Sequence, residues 1–292
     1  MNFGKLLLST VILIVVTIIT SFIYFHGSMK ADENKYSVQL TKSERNHPLA
    51  QYYYKHAKVP KKHIKSLKYY GFGYGIRFDN INEMLKPGYL KLENGYTRFE
   101  DGTGYVAVNT KFPGASGRML DWWFDWVGYE PLRYKIWYPG LHAQALYVED
   151  KVTKKTSYSI AMAVKHKPEG KTKHTVEAIG ENTGLKNLYI TFVAPRQFGL
   201  DESKLGKEQW AFCAIVKSGH FEVARMVHFF RKTEYGAEMR SRFWLGKNLP
   251  WVIRRFAVTD KQLCEMAYHC AAEYTQLASF LPEVYKQYAS KR

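Results

Sequence analysis

The chain of 292 residues is poor in cysteine, in acidic residues and in the short motifs that mark common catalytic frames. Its three cysteines, Cys213, Cys264 and Cys270, form no C-x-x-C pair, which excludes an all-cysteine zinc site and gives no support to a disulfide framework. Cys270 falls on an apolar helical stripe and Cys213 in a β-type run, so both read as buried free thiols. No Ser-His-Asp or Cys-His nucleophile elbow is recognisable, and no P-loop is present. The glycines of Gly71-Phe-Gly-Tyr-Gly75 do not open a helix after a strand, which removes a nucleotide-loop reading. Acidic residues number 26 against 43 basic ones, a formal charge of +17. That balance suits nucleic acid, an anionic membrane surface or acidic substrates. No recognition helix, zinc finger or RNP pattern accompanies the charge, so nucleic acid is not expected as a partner.

Apolar residues are plentiful, at 46%, and aromatic ones reach 16%. The first figure is ample for a folded core, and the second favours strands or an apolar pocket lined by rings. One long apolar run is present. Residues 6–25 carry no charge, with Lys5 in front and Lys30 behind, and about twenty such residues suffice to cross a bilayer. The run exceeds the apolar core of a signal peptide, about 7 to 15 residues, and His26-Gly27-Ser28 is a poor cleavage site. Residues 1–29 therefore read as an uncleaved, single-pass transmembrane signal-anchor, and the flanking charges do not fix which side the rest of the chain occupies. Residues 30–70, polar and rich in Tyr and Lys, read as a basic tether, suited to anionic headgroups or to solvent. Residues 71–292 remain for the folded domain.

Within that domain the pattern is strand, turn, strand. Residues 71–78 and 104–112 are β-type runs bounded by Gly, Asn and Pro. Ser116 caps a helix that ends near Gly128. Residues 145–152, 157–164, 173–179, 188–194, 210–216, 221–231 and 237–245 follow as short β-type segments separated by turns, an antiparallel meander. Thr259 and Gln262 then form a capping box, and Leu263, Met266, Ala267, Cys270, Ala271, Tyr274, Leu277 and Leu281 recur at helical spacing. The fold class is α+β, a curved antiparallel sheet wrapped on a long C-terminal helix, with a cavity between them.

His269 and Glu273 lie four apart on one flank of that helix's apolar stripe, with Glu265 further toward the polar side. Such a pair can hold one cation between imidazole nitrogen and carboxylate oxygen. A surface His/Glu pair is the plain alternative. His142, Glu177 and His228 are further residues that alternation or flanking sequence aims inward, His228 sharing a strand face with Ala224, Met226 and Phe230.

Four ordered blocks carry a resemblance. They are Gly95-Tyr-Thr-Arg-Phe-Glu-Asp-Gly-Thr-Gly-Tyr-Val-Ala-Val108; Asp121-Trp-Trp-Phe-Asp-Trp126; Arg133-Tyr-Lys-Ile-Trp137 with Pro139 and His142; and Glu238-Met-Arg-Ser-Arg-Phe-Trp-Leu-Gly246. Together they resemble the 2,4-diacetylphloroglucinol hydrolase family over roughly residues 71–281. The resemblance implies a helix-grip, Bet v 1-like fold and a zinc-dependent hydrolase, Zn2+ being its cofactor. Such an enzyme cleaves the carbon-carbon bond between an acyl group and a phenolic ring. It implies metal ligands at His142, Glu177, His269 and Glu273, with Glu181 and Glu149 the carboxylates neighbouring Glu177. It places Tyr134 and His228 around a small acylated phenolic substrate, Tyr134 holding a ring oxygen and His228 moving a proton. Phe243 departs from the family by standing where a polar aromatic is expected, a difference that bears on the substrate. A membrane-anchored, non-catalytic carrier of an apolar or aromatic ligand is the competing expectation, since helix-grip cavities also serve for binding.

Overall fold

The capping box at Thr259 starts the longest packed element of the protein. Thr259 Oγ1 accepts from the Gln262 backbone N–H at 3.3 Å, and Gln262 Oε1 accepts from the Thr259 N–H at 2.9 Å. The computed structural model, which describes residues 3–148, 170–234 and 236–289, runs the helix from Asp260–Tyr288. Its stripe of Leu263, Ala267, Cys270, Ala271, Tyr274, Leu277 and Leu281 is buried to 1% exposure or less, which fixes the helix on the sheet.

Among the described residues eight strands form one antiparallel sheet: β1 (Gly95–Arg98), β2 (Gly104–Lys111), β3 (His142–Tyr147), β4 (Thr172–Glu177), β5 (Lys186–Val193), β6 (Gln209–Ser218), β7 (Phe221–Thr233) and β8 (Gly236–Leu245). Their order is β1-β2-β8-β7-β6-β5-β4-β3. The helices are α1 (Phe3–Met29), α2 (Lys42–Arg45), α3 (Ala50–Tyr54), α4 (Lys61–Leu67), α5 (Gly117–Trp126), α6 (Pro131–Trp137), α7 (Trp251–Ala257) and α8 (Asp260–Tyr288). The α+β class and the meander match the sequence expectation; the segment expected at 157–164 and the end of that at 145–152 lie outside the described residues.

One stretch differs from expectation. Residues 71–78 are not a strand. Gly73 takes a φ of +71°, a left-handed turn that breaks extension, and the chain enters a 3-10 helix at Phe78–Leu85. Phe78, Ile81 and Met84 then pack on the outer face of the sheet, against Tyr105, Val227, Phe229 and Trp244. The sheet is thus covered on both faces, so a run such as 226–230 in β7 is buried continuously instead of alternating. Residues 30–70, expected as a basic tether, also contribute side chains to the core. Leu40, Leu49, Ala50, Tyr52, Val59 and Leu67 are buried in the main core. Gln276 of α8 accepts from the Ala57 N–H at 2.7 Å and donates to the Tyr52 carbonyl at 2.8 Å. The apolar side chains are too widely spaced among Lys and Tyr to form a visible stripe, yet α3 buries Ala50 and Tyr52 and α4 buries Leu67.

Helix α1 is long and apolar enough to cross a membrane. Residues 6–20 are exposed throughout, whereas Phe25, near its end, is buried with Leu249 and Ile253.

Candidate metal centre and its cavity

The centre is assembled by a strand pair and a helix. His142 and Glu177 are register partners on β3 and β4, and directly opposed residues of an antiparallel pair have adjacent side chains. The register slips between His142 and Gln144, a bulge that re-aims His142 at the strand's start. Helix α8 brings His269 and Glu273 over the same strand ends. All four residues are buried, His142 completely and Glu273 to 8% exposure.

Their distances form one cluster. His142 Nε2 lies 3.1 Å from Glu177 Oε2, 3.7 Å from Glu273 Oε2 and 3.3 Å from His269 Nε2; His269 Nε2 lies 3.5 Å from Glu177 Oε2. One ligand atom each from His142, Glu177 and His269 fall within 4.8 Å of one another. The other ring nitrogens settle the tautomers. His142 Nδ1 is 3.2 Å from the Tyr134 carbonyl and His269 Nδ1 is 3.2 Å from the Ile179 carbonyl. A carbonyl only accepts, so each Nδ1 donates its proton there, and in the neutral form of each ring the lone pair is on Nε2, toward the other. Burial pushes His142 down to about 4, outweighing the neighbouring Glu177, so that ring is neutral near pH 7. The Nε2 atoms of two imidazoles and an oxygen of the Glu177 carboxylate therefore converge. This donor set fits a divalent metal with mixed nitrogen and oxygen ligands, as zinc accepts.

The electrostatics agree. Burial alone raises Glu177, but the imidazoles of His142 and His269 hold its carboxyl below the usual carboxylate range. Burial, with the Glu177 charge adding to it, pushes Glu273 well above that range. Two buried carboxylates with no cation beside them repel, which a bound dication relieves.

A cavity of about 290 Å3 leads to the cluster, lined among others by Phe124, Tyr134, Lys173, His228 and Phe243. Tyr134 sits on α6, which Pro131 starts at the first helical turn. Its hydroxyl donates to Glu177 Oε2 at 2.5 Å, and its ring stacks on His142 at a centroid distance of 3.8 Å. The residue expected to hold a substrate oxygen thus also orients a cluster carboxylate. His228 is buried on β7, opposite Ser241 of β8, whose Oγ lies 2.9 Å from its Nδ1. Burial lowers His228 to about 3. Phe243 meets its ring edge-on at 5.6 Å. Of the carboxylates neighbouring Glu177, Glu181 faces a separate pocket beside Tyr138 and Tyr268, and Glu149 lies outside the described residues.

The family described as "DAPG hydrolase PhiG domain" matches residues 76–286. The chain belongs to this family. It is 33% identical to phloretin hydrolase of Eubacterium ramulus over 232 residues, covering 73% of this chain and 78% of that protein. It is 26% identical to the 2,4-diacetylphloroglucinol hydrolase of Pseudomonas protegens over 297 residues, 93% of each chain. A Pseudomonas sp. protein of the same name matches at 26% identity, with 97% of its length covered.

Within this family member, two contributors to the cavity escaped the sequence reading. Lys173 is buried on β4, its ammonium donating to the Phe124 carbonyl and lying 5.3 Å from the centre of the Phe192 ring. Burial pulls it down to about 7 against the opposing pull of Asp125. Alternation carried the signal, since residues 173, 175 and 177 share one face of β4. The end of α1 is the other: Phe25, His26 and Met29 line the cavity, and no local pattern marks a membrane-type helix as a cavity wall.

Proposed function

We propose that this chain is a zinc-dependent hydrolase that cleaves the carbon-carbon bond between an acyl group and a phenolic ring, on a helix-grip domain anchored in a membrane by α1. The facing Nε2 lone pairs of His142 and His269, 3.3 Å apart beside Glu177, are the observation that carries it. The substrates printed in the names of the relatives, 2,4-diacetylphloroglucinol and phloretin, share an acyl group on a polyhydroxylated ring, and support the substrate class.

His142, Glu177, His269 and Glu273 would hold the zinc. When bound, it supplies Lewis acidity at the acyl carbonyl. The remaining work falls to the chain's own side chains. In the tautomer whose Nδ1–H donates to Ser241, His228 presents an Nε2 lone pair to the cavity. It takes the proton of a ring hydroxyl and returns it to the ring carbon that bears the acyl group, leaving the ring in its keto form. Water then adds at the acyl carbon, the ring–acyl bond breaks with its electron pair passing to the ring, and a carboxylic acid and a deacylated phenol result. A His228 kept neutral by burial suits this return of the same proton. Tyr134, donating to Glu177, keeps its oxygen lone pairs as acceptors for a ring hydroxyl. Phe243 replaces a polar contact by an apolar wall, which favours substrates with a less polar ring face.

The test is metal content and product analysis on the full chain in detergent. About one zinc per chain, lost in His269→Ala, is expected. With 2,4-diacetylphloroglucinol or phloretin, carboxylic acid and deacylated ring form in equal amounts. Zinc absent from the unaltered chain, or hydrolysis undiminished in Glu273→Ala, would falsify the reading and leave a carrier of an apolar ligand.

A further inference from the structure

The cavity that ends at the metal cluster is also lined where α1 and α7 meet. Its outer wall is made by Phe25, His26 and Met29 on one side and by Leu249, Phe256 and Ala257 on the other. The two elements touch: the Phe22 and Phe256 rings lie 6.2 Å apart, edge to face, and Phe25, Leu249 and Ile253 share one buried cluster. From Leu6 to Tyr24 the helix rises about 27 Å, close to the roughly 30 Å of a hydrocarbon layer. Phe256 is thereby level with the last turns of that span.

Helix α7 itself has an unusual surface. Ile253 is buried, while Trp251 and Phe256 are 61% and 63% exposed and Arg255 lies 5.7 Å over the Trp251 ring. Large rings flanked by a guanidinium are what the headgroup layer accommodates: ring bodies reach the acyl boundary and the cation meets lipid phosphates. The chain's charge of +17 favours an anionic surface in the same sense. Apolar side chains predominate along the wall, Met29, Val223, Leu245 and Met266 among them, beside Lys186, Gln262 and Glu265.

We infer that α7 rests in the headgroup layer beside α1 and that the cavity mouth between them opens to the bilayer, so that the enzyme takes acylated phenols with apolar acyl chains from the lipid phase. The substrate class rests on the proposed hydrolase activity; the placement of the mouth rests on α1 spanning the bilayer and on the contacts of α7.

The experiment uses the full chain reconstituted in vesicles of mixed neutral and anionic phospholipid. Lipids brominated along the acyl chain should quench a component of tryptophan fluorescence that is missing in Trp251→Phe. In the same vesicles, Trp251→Glu should raise the apparent KM for the 2,4-didodecanoyl analogue of diacetylphloroglucinol by about tenfold, the equivalent of one lost apolar anchor. Turnover of 2,4-diacetylphloroglucinol in detergent should stay within about twofold, because an exposed ring away from the cavity leaves the cluster untouched. Quenching indifferent to Trp251, or an equal effect of Trp251→Glu on both compounds, overturns the inference. If the unaltered chain turns over neither compound in any medium, the hydrolase reading fails, and the quenching still decides where the mouth lies.

Discussion

Two of the protein's buried charge clusters, one on each face of its sheet, are built on opposite rules. On the outer face Glu93 receives Arg240 through two hydrogen bonds, of 3.0 and 2.6 Å, and Arg242 through a third. Burial would raise Glu93, but Arg242 and Arg240 outweigh it and hold the carboxyl below its ordinary range. Every charge there has a protein partner. On the inner face two carboxylates and two imidazoles converge, and among the described residues no Lys or Arg pairs with them: beside the imidazoles, Glu177 has only the Tyr134 hydroxyl. A self-satisfied cluster holds structure, whereas one with converging, unmatched donors stores binding energy for a ligand.

The comparison can be broken at the inner cluster with the largest effect. Replacing His142 by Ala removes a proposed ligand whose Nε2 lies near the other three residues of the cluster, and hydrolysis should fall by about a thousandfold or more, since metal polarisation contributes several kcal/mol. Initial rates beside zinc content measure this, and a variant that keeps its metal and its rate contradicts the ligand set. At the outer cluster the expected loss is in stability. Glu93→Ala leaves Arg240 and Arg242 buried without their carboxylate and should cost about 3 to 5 kcal/mol, read from denaturant unfolding in detergent. Zinc content of the folded fraction should not change; if it drops, the two faces are coupled.

A smaller effect sharpens the inner site. Tyr134→Phe deletes the hydrogen bond to Glu177 while keeping the ring stacked on His142, and should weaken zinc binding by about 10- to 100-fold in a competition titration. An unchanged affinity would make Tyr134 a substrate contact alone. The smallest effect concerns Lys173, held near 7 by burial. Its folded pKa is below that of the unfolded chain, so the unfolded state binds more protons between those values and stability rises with pH. The gain from this residue between pH 7 and pH 9 should be about 2 kcal/mol. Unfolding curves of Lys173→Met across that range should lack this rise.

Much of this was legible before folding. The capping box at Thr259, the 3.6-residue stripe below it and the His269/Glu273 pair on its flank are local patterns, and the α8 helix reproduces them residue by residue. The strands from 173 to 245 were readable because turns of Gly, Asn and Ser punctuate them. Local order failed where a segment gains stability only from distant surfaces. Residues 71–78 look extended by composition, but Gly73 turns them and the sheet's outer face gives Phe78 and Met84 their place. Residues 42–67 look solvated until α8 offers Gln276 to their backbone.

The sequence by itself determined which side chains could serve as ligands, because residue type sets donor chemistry and helical spacing sets a pair. Only the tertiary structure decided that His142 and Glu177 face each other across a bulged strand pair under α8, that Tyr134 serves Glu177, and that the end of α1 forms a wall of the cavity. Those relations join residues distant in the chain, Tyr134 and Glu177 being 43 positions apart and His142 and His269 127 apart. Their distance is set by sheet register and helix packing, which no local window of sequence encodes.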